Sequence, residues 1–364
     1  MELKIEGIIK AKGFRDFNHF ATVALENQVA WETGNNITSN KVTNAIDLQI
    51  SELNKSVSLG NESLEARLTA NEDLLRMPSH KPKLSHLPLP DNPNNILWGQ
   101  YYRFLPVKVG VRVLLNMYTE PFPELRKFTD KVTNVALPFR HQLAKLDRMD
   151  RRSFGELLSA SFPTNDEKSV KRFVNQYILY LRTSDMTLLG MMPELKLINV
   201  ISDENRIVRI GLTSFGSQFA LFQNPAIDLN EPESLSGDEI DFLLNHIADN
   251  IPAEFEHITV ALKAIEDGKK TRDDLNSVLK GYYLHYHKGT EWSDTVVNTM
   301  RSGLLSRLND LRLVKREKHG KYIRYHITDN GEKYIQSISE KDEIKHVTKD
   351  HQGQTEALSK VPEH

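Results

Sequence analysis

The chain resembles itself at a spacing of 115 to 118 residues, and this limits its architecture more than any other feature. LLGMMPELKLINV from Leu188 lines up with LLSRLNDLRLVKR from Leu304, 116 residues later. RIGLTSFGSQFALF from Arg209 lines up with RYHITDNGEKYIQS from Arg324, 115 residues later, pairing Thr213 with Thr328, Gly216 with Gly331 and Phe219 with Tyr334. Upstream, SFGELLSASF (from Ser153) and TRDDLNSVLK (from Thr271) correspond at 118; RVLLNMY (from Arg112) matches DFLLNHI (from Asp241) more loosely, at the wider spacing of 129. Such a unit is too long for a solenoid repeat and suits a duplicated domain. The predicted copies span about 100–225 and 235–338. The join between them is acidic and Pro-bearing, with Ser236 as a helix cap near its end.

The second copy is the more readable. Ser293-Asp294 forms an N-cap pair, and Val297, Met300, Leu304, Leu308 and Leu311 then share one helical stripe. Val297, Leu304 and Leu308 are expected core. Thr295, Asn298, Thr299, Ser302, Ser306 and Asn309 lie opposite, with Arg301 on the flank; small polar side chains of this kind suit base edges. LVKREKHGKYIRYHIT then alternates around His319-Gly320, the pattern of a β-hairpin. Its tip and flanks carry Lys315, Arg316, Lys318, Lys321 and Arg324, and Asp329-Asn330-Gly331 turns into a closing helix. Trp292 to His326 holds eight Lys/Arg against three Asp/Glu, a balance of +5 in a chain of net −2. Such clustering suits a phosphate-facing surface.

Helix, short strand and basic hairpin in this order resemble the winged helix-turn-helix superfamily. The likeness rests on Leu304-Leu305-Ser306-Arg307-Leu308, the Leu311-Arg312-Leu313-Val314 strand entry, the hairpin through Gly320, and Tyr325-His326-Ile327-Thr328 with Gly331. The chain departs from the pattern at Arg312, where many such proteins carry Gly. The resemblance, with the duplication, implies a mainly α fold with small β-wings (α+β), two tandem winged-helix domains and a helical N-terminal region. It also implies double-stranded DNA as partner. The 294–311 helix would enter the major groove with Asn298, Thr299, Arg301 and Ser302 at base edges. Lys315, Arg316, Lys318, His319, Lys321 and Arg324 of the 315–326 wing would grip phosphates. In the first copy the corresponding helix is read in EKSVKRFVNQYILYLR, with Lys168, Lys171, Arg172, Asn175 and Gln176 outward. The first wing, NVISDENRIVRIGLT, has an acidic tip at Asp203-Glu204-Asn205, poor for a DNA backbone.

Residues 1–95 read as a helical region closed by a Pro-rich linker. Val42, Ile46, Leu53, Val57, Leu64, Leu68 and Leu74 recur mostly at intervals of four or seven, as in a helical hairpin or short coiled coil. Residues 1–77 are therefore a candidate homodimer or protein-partner surface. PSHKPKLSHLPLPDNPNN reads as a stiff extended linker. Helices are predicted from Pro106 to about Thr119 and from Phe128 to Leu146, the second feeding a basic run of Arg140, His141, Lys145, Arg148, Arg151 and Arg152. A short helix over FGELLSASF follows a Ser153/Glu156 capping box. The tail, 339–364, is expected to be disordered.

With no Cys, disulfides, thiolate catalysis and zinc ribbons are excluded, and a reducing, cytoplasmic (nucleoid-associated) setting is expected. No window is long and apolar enough for a membrane span, and the first residues lack a secretory h-region. Phosphate-loop, GxSxG, HExxH and GxGxxG motifs are absent, so no enzyme, cofactor or metal is expected. His285-x-His287 reads as part of an aromatic segment rather than a metal site. Asp185 with Glu194-x-Lys196 mimics a nuclease set, but the duplication places Glu194 and Lys196 in a turn, matching Asp310 and Arg312. The expected role is a transcriptional regulator. The alternative is a non-catalytic accessory subunit of a DNA-processing, chromosome-organising or defence complex, docking protein through its winged helices.

Overall fold

The computed structural model describes residues 73–78, 84–91, 95–118, 122–152, 156–182, 187–204, 206–286, 292–319 and 322–338. Expectations for residues 1–72 and 339–364, and those for Asp185, His287 and Lys321, lie outside these residues. The described chain is mainly helical with small antiparallel strand pairs. Its first half holds α1 (Leu105–Asn116), α2 (Leu125–Met149) and α3 (Glu167–Phe173), which widens into a π-turn over Val174–Ile178. Then come β1 (Tyr180–Arg182), β2 (Thr187–Leu189), α4 (Met191–Glu194), β3 (Ile198–Ser202), β4 (Val208–Leu212) and α5 (Ser214–Leu221). The second half runs α6 (Gly237–Asn250), α7 (Pro252–Glu266), α8 (Arg272–Tyr286), α9 (Asp294–Asp310), β5 (Val314–His319), β6 (Tyr322–Ile327) and a helix, α10, over 329–338.

The internal likeness of the sequence recurs as one hydrogen-bonded corner built twice. Leu311 N–H donates to Arg307 O at 2.8 Å and Leu195 N–H to Met191 O at 2.9 Å; Leu313 N–H reaches Leu308 O and Leu197 N–H reaches Met192 O. Arg312 and Lys196 both take φ 55°, the left-handed conformation that ends a helix. Thr328 donates from Oγ1 to Arg312 O, Thr213 from Oγ1 to Lys196 O, and each hydroxyl accepts the N–H of Gly331 or Gly216 at 3.1 Å. Both glycines are required by close approach: a Cβ would lie 2.2 Å from Leu313 O in one copy and 1.8 Å from Leu197 O in the other. Arg312 occupies a glycine-type position at a cost of about 1–2 kcal/mol. Its guanidinium compensates by pairing with Glu233 and donating to Leu235 O at 2.8 Å.

The first copy departs from the predicted helix over EKSVKRFVNQYILYLR. The helix ends at Ile178, Leu179 is extended (φ −165°, ψ 155°), and β1 pairs with β2 through Leu181 opposite Leu188. That alternating, β-branched and aromatic stretch satisfies a strand as well as a helix. The Pro-bearing stretch also differs from a free linker over its described part: Leu87 is buried, donates to Leu212 O at 2.9 Å, and its neighbour Pro88 accepts from Asn199. A proline-flanked segment suits such an edge position because it needs few donors. Ser153, of the expected capping box, lies outside the described residues; over the described part of FGELLSASF a 3-10 turn, Ser159–Ser161, replaces the predicted α-helix.

Two buried arrangements join the halves. On α1, Lys108 and Arg112 point the same way one turn apart, both fully buried. Lys108 Nζ donates to Phe219 O (2.6 Å) and Phe222 O (2.7 Å) and lies 2.9 Å from Glu239; Arg112 donates to Ala220 O, Phe222 O and, through two nitrogens, Asp228. They satisfy the carbonyls orphaned at the end of α5. Burial pulls Lys108 down to about 8 despite Glu239, which itself forms the capping box of α6 with Ser236.

The second arrangement is a strap, residues 97–104, held on α7 and α9. Arg307 is bound to Glu254 at 2.8 Å, both sealed from solvent, and donates to Leu97 O, Trp98 O and Tyr101 O. Glu254 Oε2 accepts Leu97 N–H at 2.8 Å. Burial pushes Glu254 upward, but Arg307, His257 and the Leu97 N–H outweigh it and hold the carboxylate below its usual range. Asp310 accepts Phe104 N–H and pairs with Arg103, while the matched residue of the first copy, Glu194, accepts the Tyr101 hydroxyl at 2.8 Å. Gly99 crosses α9 at Gly303 so closely that a Cβ on Gly303 would meet Gly99 O at 2.0 Å.

Burial lifts Glu194 to about 7 despite the opposing hydrogen bonds from Tyr101 and Gly190. A raised carboxyl binds protons better in the folded state. Its stabilising contribution is complete below the ordinary carboxyl value of about 4.3 and is lost as pH climbs through about 7. Urea unfolding across that window is expected to show Glu194→Gln losing less stability with rising pH than the native chain, by up to about 1 kcal/mol per pH unit. Parallel pH profiles would contradict the assignment.

Candidate nucleic-acid interface

The surface anticipated for DNA is α9 with the β5–β6 hairpin. Ser293 caps α9, accepting Val296 N–H, and α9 packs on α8. Hairpin register is Val314 opposite Ile327 through His319 opposite Tyr322, and Tyr325 N–H extends the pairing to Lys270 O at 3.0 Å in the α7–α8 connection. Val297, Met300, Leu304, Leu308 and Leu311 are core, as their spacing predicts.

Nine of the 17 residues of α9 are buried, which narrows its outward face. Asn298 and Ser302 are exposed, flanked by exposed Thr295 and half-buried Ser306 and Asn309. Asn298 also serves inside the fold, its Oδ1 accepting from Asn276 at 2.9 Å and from Arg301 at 3.0 Å. Thr299 is half-buried, turns its hydroxyl onto Thr295 O, and lies beneath the strap at Gly99. Arg301 corrects the sequence expectation. It is buried, donating to Asn276 Oδ1 (2.7 Å), Asn298 Oδ1 and Arg272 O, so its guanidinium braces α8 against α9 instead of reaching outward.

The hairpin cations do not share one face. Residues paired across the ladder point to the same side. Lys315, Glu317, Arg324 and His326 therefore lie on one face, and Arg316 and Lys318 on the other with Ile323 and Tyr325. Lys315, Lys318 and Arg324 are exposed and Arg316 is half-buried; His319 closes β5 in backbone. Glu317 lies 3.1 Å from Lys315 and 3.4 Å from His326, and these residues line an open cleft of about 590 Å³ with Arg312 and Asp329. The +5 window thus contracts: Arg307 and Arg301 are buried and Arg312 pairs with Glu233.

In the first copy Lys168, Lys171 and Arg172 are exposed on α3, whereas Asn175 and Gln176 are half-buried in the π-turn, Gln176 donating to Gln100 at 2.7 Å. At the acidic wing tip Asp203 accepts Ile207 N–H and pairs with Arg209, while Asn205 lies outside the described residues. Sequence reasoning overlooked Lys108, Arg112, Glu239 and Glu254. Cations four apart inside the apolar run LPVKVGVRVLL were the available signal, because a charge there demands buried partners. Among the described residues no cluster of three or more His, Asp or Glu is placed to hold a metal, and no helix is long and apolar enough to cross a membrane. No family model, curated protein or solved structure matches the chain.

Because three donor contacts of Arg301 are internal, Arg301→Ala is expected to lower the free energy of unfolding by about 2 kcal/mol, measured by urea denaturation. A variant as stable as the native chain would show the guanidinium to be dispensable for packing.

Proposed function

We propose that this chain is a non-catalytic, double-stranded-DNA-binding protein of the winged-helix type, acting in transcription control. The observation that carries the reading is the β5–β6 hairpin, which exposes Lys315, Lys318 and Arg324 and follows directly in the chain on α9, whose outer face carries exposed Asn298 and Ser302, in a chain of net −2. Three such cations fit phosphate contacts, and the short polar stripe leaves few groups for bases. Binding is therefore dominated by phosphates and salt-dependent, with modest sequence preference. Two copies of the corner that sets a hairpin after a helix support a tandem arrangement. Transcription control is an analogy with the superfamily.

A second reading has its own support. The burial of Arg301 and Arg307, and the strap over Thr299 and Gly303, commit much of α9 to the chain's own packing. That suits an accessory subunit that docks protein rather than bases.

Fluorescence anisotropy on random and genomic duplexes across a salt titration separates the two readings. Lys318→Ala with Arg324→Ala is expected to weaken binding to every sequence and to reduce the log–log salt slope by about 2. An unchanged affinity and slope would remove the hairpin from the interface, and a native chain without duplex affinity would favour the docking subunit.

A further inference from the structure

Helix α2 carries a second charged surface that the hairpin reading does not use. Its 25 residues include Arg126, Lys127, Lys131, Arg140, Lys145 and Arg148, against two acids, Asp130 and Asp147. Of the two, Asp147 leaves the outer face without an offset. Asp147 is 4% exposed and turned inward, accepting Leu158 N–H, Ser159 N–H and the Ser159 hydroxyl. Asp130 is half-buried, and burial holds its carboxyl above the usual range despite Arg126.

At 100° per residue, Lys127, Lys131, Asn134, His141, Lys145 and Arg148 fall within an arc of about 100° and span about 31 Å of helix. All six are exposed. Buried Pro138 divides the stripe into an earlier and a later cluster. A merely solvated helix face interleaves acids three or four residues from its bases. On this stripe Lys127 has such a partner, Glu124 at 2.8 Å, while Lys131, Lys145 and Arg148 have no ion-pair partner among the described residues. The helix dipole explains Arg148, in the last turn, but not Lys131, in the second turn. Lys168 and Arg172 are exposed on α3, which is tied to α2 by an edge-on Phe139–Phe162 contact and a tilted Phe162–Phe173 contact, with centroids 5.4 and 5.8 Å apart.

We propose that the outer face of α2 is a second contact for the phosphates of duplex DNA, separate from the hairpin. The inference rests on the reading that the chain binds DNA and adds a surface to it. Its placement suits one ligand for both. Gln142, on the stripe's flank, donates to Asn230 at 3.0 Å, and Arg312 at the hairpin base holds Glu233 and Leu235. Asn230 and Glu233 are three residues apart, at most about 11 Å. Glu231 and Glu233, both exposed, lie in the chain between Asn230 and Leu235.

The test uses the full chain, a random duplex of about 40 base pairs (about 136 Å at 3.4 Å per step) and a salt titration. Lys131→Glu, Lys145→Glu and Arg148→Glu are combined in one variant, and Lys318→Glu with Arg324→Glu in another. The α2 variant is expected to bind at least about 30-fold more weakly near 0.1 M salt, with a slope smaller by about 3. A Gln version at the same three positions, with an unchanged unfolding midpoint, is expected to lose affinity in the same direction and so excludes misfolding as the cause. Native affinity and slope in both α2 variants, with the hairpin variant impaired, would overturn the second surface and leave the DNA reading standing. A native chain that does not bind the duplex would overturn both. Loss in the α2 variants alone would uphold the second surface and retire the hairpin.

Discussion

Arg307 and Glu254 form the interaction on which the arrangement depends. A buried guanidinium–carboxylate pair gains little over an apolar one, yet removing one partner strands a charge at a cost of about 3–5 kcal/mol. Here the pair holds more than itself. Its remaining donors and acceptor are spent on the backbone of Leu97, Trp98 and Tyr101, more than 150 residues away from either partner. The strap so fixed then meets Asp310 from one copy of the corner and Glu194 from the other. The halves of the described chain are thus not beads on a linker. They share a polypeptide that neither can satisfy alone, and Lys108 and Arg112 repeat the theme at the end of α5.

This economy shapes the candidate interface. A helix that reads a groove must leave a broad face free, and α9 spends much of its surface on the strap and on α8. What remains is a narrow stripe centred on Asn298 and Ser302, followed in the chain by a hairpin whose cations fall on two faces. Such a surface holds a charged backbone more readily than it discriminates among bases. The α2 stripe has the same character, with regular cations and few groups that hydrogen-bond in two directions. The physical content of the proposal is therefore electrostatic grip first and sequence reading second.

The internal likeness was legible because it lives in residues whose backbone roles are fixed: Thr213 and Thr328 close a turn, and Gly216 and Gly331 admit a carbonyl where a Cβ cannot fit. The apolar stripe of α9 was legible for a similar reason, since helical spacing decides which side is core. Charge was not. Arg301 and Arg307 look the same in sequence as Lys315 and Lys318, and nothing local announces that Glu254 lies 53 residues upstream of one of them. The α3 error has another source. Tyr177 to Arg182 alternates like a strand while also meeting helical spacing, and only packing of Leu181 against Leu188 decides between them. The seating of Leu87 and Pro88 on the β3–β4 pair was hidden by the neighbouring prolines, which mark extended chain but not whether that chain lies on a sheet edge.

Native-state hydrogen exchange tests the shared strap most directly. If Arg307 and Glu254 make one cooperative body, the amides of β3–β4 and of β5–β6 open with the same free energy and the same denaturant dependence, and Arg307→Met splits them into two openings of unequal stability. Two unequal openings already present in the native chain would contradict the account.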